Sequence, residues 1–150
     1  MTIVARFRVA TRATGPRRQV YVHVYDDREQ LARAHNAMRG RGYEPERDGD
    51  IAGGVSTSLS NGKPGFWWPD TPVDHAVNVM RLWTEQLTTR TISHEAVHAA
   101  ATMCFMDTMR GWNSRLRTFL IGDNEPMAYA VGDITADVIR ELYRLKLLPN

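Results

Sequence analysis

One cysteine, Cys104, stands alone among 150 residues, which excludes an intramolecular disulfide and any multi-cysteine zinc ligation. A metal site in this chain would have to be built from His, Asp and Glu. No apolar run approaches the roughly 20 residues that cross a bilayer. The start Met1-Thr2-Ile3-Val4-Ala5-Arg6 lacks the charged-then-apolar layout of a signal peptide. The expectation is a cytoplasmic protein without a membrane partner. Repeats, low-complexity tracts and linkers are missing as well, so residues 1–150 read as one domain. At this size folding buries roughly 70% of the unfolded surface, and a core forms without staples. Charge of one sign is scarce: the net charge is +2 and the pI about 8.9. Ten arginines between Arg6 and Arg47 are diluted by Asp26, Asp27, Glu29, Glu44, Glu46, Asp48 and Asp50. That mixture reads as a solvated face rather than a nucleic-acid surface.

What is present is patterned. Residues 2–10 alternate Ile3, Ala5, Phe7 and Val9 against Val4, Arg6 and Arg8, and residues 19–25 alternate Val20, Val22 and Val24 against Tyr21, His23 and Tyr25. Period 2 predicts two strands paired antiparallel across a Gly15-Pro16 loop. Asp26 or Asp27 then caps a helix carrying Leu31, Ala34, His35 and Met38, which Gly40 and Gly42 stop. Gly49 to Ser60 suits one or two short strands before an Asn61-Gly62 turn, and Phe66-Trp67-Trp68-Pro69 reads as an extended segment whose tryptophans cover the core. Residues 75–83 are ambiguous, since they alternate while Val77, Met80 and Arg81 would also fit a short helix, and β-branched content favours a strand. Residues 92–109 contain neither Gly nor Pro and predict a helix capped by Thr91, broken at Gly111-Trp112-Asn113. A short helix over 115–120 and a last helix over 125–147, with Pro126 in its first turn, complete the chain. Cys104 and the methionines Met103, Met106 and Met109 read as core filling.

The chemistry sits in His94-Glu95-Ala96-Val97-His98, an HExxH motif inside the predicted 92–109 helix. Imidazoles four residues apart share one helical face about 6 Å apart along the axis and can reach one cation. Glu95, turned by roughly 100°, can reach a water on it. A catalytic zinc site needs a third protein ligand. No histidine follows His98, so a downstream ligand must be a carboxylate. Glu125 is the choice, because it opens the last helix after Gly122-Asp123-Asn124. Along that helix Ala128, Gly132 and Ala136 are small enough to pack on Ala99, Ala100 and Ala101. Asp107, Asp123, Asp133 and Asp137 are rivals, and Asp133 could instead hydrogen-bond a ligand imidazole.

The HEAVH helix followed by Asn124-Glu125-Pro126-Met127-Ala128-Tyr129 resembles the gluzincin arrangement of zincin metallopeptidases, over residues 91–132. The flavour of the second motif is similar to the aminopeptidase branch, and the size to minimal zincins of phage and mobile-element genomes. The His98-to-Glu125 spacing is longer than in typical gluzincins, and Tyr129 stands where some carry an aspartate. The resemblance implies an α+β fold: an N-terminal antiparallel or mixed sheet with a supporting helix, then two packed C-terminal helices carrying Zn2+. It implies His94, His98 and Glu125 as ligands, Glu95 as general base, and a peptide or protein substrate. Tyr129, Tyr143 and His75 are candidate transition-state donors, although a side chain pointing into the core with its polar tip satisfied is the commoner explanation for each. The resemblance also implies that the strand before the metal helix, 75–83, is the edge on which substrate lies by strand addition. Two other readings fit the same residues: a zincin-like protein whose metal is structural or regulatory, and a basic nucleic-acid accessory domain whose HExxH arose by chance.

Overall fold

The structure, a computed structural model, describes residues 3–59, 76–107 and 124–149. Strand β1 (Ile3–Thr11) pairs antiparallel with β2 (Arg18–Tyr25), as their alternation predicts. Helix α1 (Arg28–Met38) begins where Asp27 accepts the Gln30 backbone N–H at 3.0 Å, satisfying one of the helix's free donors. A single turn, α2 (Pro45–Asp48), leads to β3 (Gly53–Leu59) and β4 (Ala76–Trp83). That turn escapes periodicity because four residues are too few to show one.

The strand order is β1-β2-β4-β3, with β4 parallel to β2 and β3 antiparallel to β4. The sheet is therefore mixed and the class α+β. The crossover through α1 seats β4 beside β2 and leaves β3 as the terminal strand of the described sheet. The strand before the HExxH helix is thus internal, which corrects the expectation that 75–83 forms the edge. Its ambiguous pattern has the same origin. Met80 and Leu82 are buried on one face and Val79 and Arg81 on the other, so no polar side marks the period.

Helix α3 (Thr89–Asp107) starts earlier than predicted. Thr88, not Thr91, supplies the cap, its hydroxyl accepting the Thr91 N–H at 3.1 Å. Helix α4 (Glu125–Arg144) ends three residues before the predicted boundary. Lys146 adopts φ 58°, and Lys146 and Leu147 donate backbone N–H groups to Tyr143 and Leu142. This is the paired-bond helix stop in which glycine is usual.

Helices α3 and α4 cover one face of the sheet. Ile92, Ala96, Ala99 and Met103 of α3 and Ile134, Val138 and Leu142 of α4 close on Val20, Val22, Val24, Met80 and Leu82. Helix α1 lies on the other face, over β3 and β4. Two polar ties fix the helical layer to the hairpin: Arg18 pairs with Asp107 at 2.6 Å, and Thr11 donates to Asp133 at 2.6 Å. Among the described residues no helix is long and apolar enough to cross a membrane. The predicted Asn61-Gly62 turn, the Trp67-Trp68 segment, the break at 111–113 and the helix over 115–120 lie outside the described residues.

Candidate metal centre

The buried stripe of α3 runs Ile92, Glu95, Ala96, Ala99, Ala100, Met103, Cys104 and Met106. Every member but one is apolar. Glu95 occupies a core position at 6% exposure, on the sheet side of the helix, while His94 and His98 stand on the exposed side. The 3.6-residue period makes this division, since 94 and 98 lie a turn apart and 95 falls 100° around.

The two imidazoles converge. Their Nε2 atoms are 3.3 Å apart, with ring centroids 4.9 Å apart and planes at 75°. Two nitrogen ligands bound tetrahedrally to one zinc at about 2.0–2.1 Å are separated by about 3.3–3.4 Å. The imidazole pair therefore already has the edge length of such a site. Partial burial, and then His94, push the His98 pKa down, which favours the neutral ring that ligation requires.

Glu95 Oε2 is buried with no hydrogen-bond partner among the described residues. Burial raises its carboxyl pKa, and the nearby His94 opposes this. The space for the carboxylate comes from β3. A Cβ on Gly53 would meet Glu95 Oε1 at 3.1 Å and the Arg81 carbonyl oxygen at 3.3 Å. Gly53 is a site residue that the sequence reading missed. Its signal was a Gly-Gly pair opening a strand, which marks close approach by another group.

The carboxylates proposed as further ligands are differently placed. Glu125 is exposed at the first position of α4, and among the described residues no group of three or more His, Cys, Asp or Glu that could hold a metal ion is assembled. Asp133 accepts from Thr11, Asp107 is taken by Arg18 and by the Thr14 hydroxyl at 2.7 Å, and Asp137 pairs with Arg140 at 2.8 Å. Tyr129 and Tyr143 are 66% and 48% exposed, so neither is a core tyrosine with a satisfied tip. Asp123 and His75 lie outside the described residues. Cys104 is buried, and burial pushes its thiol pKa up to about 11, which fits a core residue and not a nucleophile.

On the opposite face of the sheet a second polar cluster went unread in the sequence. The Arg81 guanidinium, 4% exposed, donates to Ser56 Oγ at 2.6 Å, and Ser56 donates to Met38 Sδ at 2.9 Å. His35 of α1 packs so closely on Gly54 that a Cβ there would lie 2.7 Å from its ring. Comparison with protein-family models, curated proteins and solved structures yields no match.

Proposed function

We propose that this chain is a zinc-dependent metallopeptidase of zincin type. The observation that carries the reading is the 3.3 Å separation of His94 Nε2 and His98 Nε2, with the Glu95 carboxylate on the adjacent helical position. In this reading the two imidazoles would hold the zinc together with Glu125, which the described structure does not bring to them. When bound, zinc supplies Lewis acidity, making water acidic near neutral pH and polarising a peptide carbonyl. Glu95 takes the proton from the attacking water and passes it to the departing amine. Its raised pKa suits that duty, because a base that must also act as acid works best near the operating pH. A hydrophobic residue at 95 would stabilise the core better than an unpartnered carboxylate, and this supports a use for the group beyond packing.

The substrate strand belongs with β3 in this reading, not β4. An extended peptide adding to the outer edge of β3 would run past Gly53, on which the Glu95 carboxylate packs. The test is zinc content per chain together with peptide-library hydrolysis, for wild type, His98→Ala, Glu125→Ala and Glu95→Gln. About one zinc is expected in wild type, lost in His98→Ala and Glu125→Ala. It should be kept in Glu95→Gln while hydrolysis falls by about 10²–10⁴-fold. Zinc without hydrolysis in wild type points to a structural or regulatory metal. No zinc after reloading overturns the reading.

A further inference from the structure

Among the described residues, the half of the sheet that α1 leaves uncovered is basic. Helix α1 packs over β3 and β4 and barely reaches β2. On that same face β1 presents Val4, Arg6, Arg8 and Ala10, and β2 presents Gln19, Tyr21 and His23. None of these is acidic. Arg6 and Arg8 are exposed, and Tyr21 and His23 half-buried. Cross-strand register sets Arg6 opposite His23 and Arg8 opposite Tyr21, and the Arg8 guanidinium lies 5.8 Å from the Tyr21 ring centroid. The row continues inward, since His23 is opposite Arg81 of β4.

Four of the seven acids that dilute the arginines in sequence are spent on arginines other than Arg6 and Arg8. Glu29 pairs with Arg33, Asp50 with Arg28, Glu44 with Arg47, and Asp48 with Arg41 and Arg47. Arg6 and Arg8 have no carboxylate partner among the described residues. On the opposite sheet face the comparable arginine, Arg18, is spent on Asp107. Arg6 and Arg8 thus place unpaired positive charge on this face, and the His23 pKa is held down by burial and then by Arg81 and Arg6.

We infer that this open β1–β2 face binds single-stranded nucleic acid, with Arg6 and Arg8 on phosphates and the Tyr21 ring stacked on a base. The charge alone would suit any polyanion. An aromatic ring beside a guanidinium group on a pleated surface selects a ligand that offers flat π faces as well as phosphates, which an acidic peptide does not. A duplex hides those faces, so the single strand is the fitting form. Along β1, Arg6 and Arg8 are about 6.8 Å apart on one face, so a strand laid lengthwise meets both.

The test is fluorescence anisotropy of a labelled 20-nucleotide oligothymidylate with the full chain at 50 and 200 mM salt. Binding that weakens with salt is expected. In Arg6→Ala/Arg8→Ala it should fall about tenfold or more, with the log–log salt slope reduced by about 1.4. Tyr21→Leu, which keeps apolar bulk, should lose about fivefold or more. Arg140→Ala/Arg144→Ala on α4, whose arginines pair with Asp137 and Glu141, should bind like wild type. Circular dichroism confirms that each variant is folded. No binding at 50 mM salt overturns the inference, as does an equal loss in the α4 control. Competition by polyglutamate as strong as by unlabelled oligonucleotide also overturns it and leaves a surface for acidic chains.

Discussion

Two buried titratable side chains, Glu95 and His35, sit on opposite faces of the sheet, and each is uncomfortable in its own way. Glu95 is a carboxylate in a core stripe. His35 is 7% exposed with Nδ1 unpartnered among the described residues. Burial, then Arg39, Arg81 and Arg41, push the His35 pKa down from 6.5 to about 4, against a smaller opposing effect of Asp48. Between these values the unfolded chain binds a proton at His35 that the folded chain refuses. Stability therefore rises with pH across that window and is lost as pH falls from about 6.5 towards 4, by at most about 3 kcal/mol. His23, whose pKa is also lowered, acts in the same direction. His35→Gln removes the largest single contribution, so urea melts at pH 7 and pH 4.5 should differ less in this variant than in wild type. An unchanged difference would assign the acid sensitivity elsewhere. At this scale the HExxH pair was legible because helical period and residue identity act together over four positions. The depth of Glu95 was also written there, as i+3 from Ile92 and i−4 from Ala99, but a charged residue is not counted when an apolar stripe is traced.

At the scale of elements, the β1–β2 hairpin, α1 and the two long helices follow from local pattern, and strand order does not. Nothing in residues 75–83 reports that β4 would pair with β2 across an intervening helix, because parallel pairing is decided by how α1 packs and not by the strand itself. The contact that records this packing is Gly54 against His35. A methyl on Gly54 would sit 2.7 Å from Cε1 and 2.8 Å from Nδ1 of a ring clamped between α1 and the sheet. Gly54→Ala is expected to destabilise the chain by about 1–3 kcal/mol. His35→Ala opens the space, so the double variant should be more stable than the two single losses predict. The cycle is measured by denaturant unfolding. Additive losses would mean that α1 does not press on β3 at this point.

Taken as a whole, the molecule is a sheet with unequal faces, and α3 is the element that joins the candidate chemistry to the core. Its exposed side carries the imidazole pair and its buried stripe meets the sheet, while Asp107 at its far end holds Arg18 and Thr14 of the hairpin. A cation held by His94 and His98 alone would clamp one turn of one helix. A cation that also took Glu125 would tie α3 to the start of α4, and unfolding would then have to break the link. Binding to the folded state alone adds about 2.7 kcal/mol when free ligand is 100 times Kd. For a chain of this length that is a rise in Tm of roughly 5–10 °C. Zinc added to metal-free protein should therefore raise Tm by that amount in wild type and in Glu95→Gln, and not in His98→Ala. Glu125→Ala separates the two geometries. A shift that vanishes with it assigns the inter-helix link, and a shift that survives places the third ligand elsewhere. An equal rise in His98→Ala would show zinc acting away from α3 and would remove the metal from the proposed chemistry.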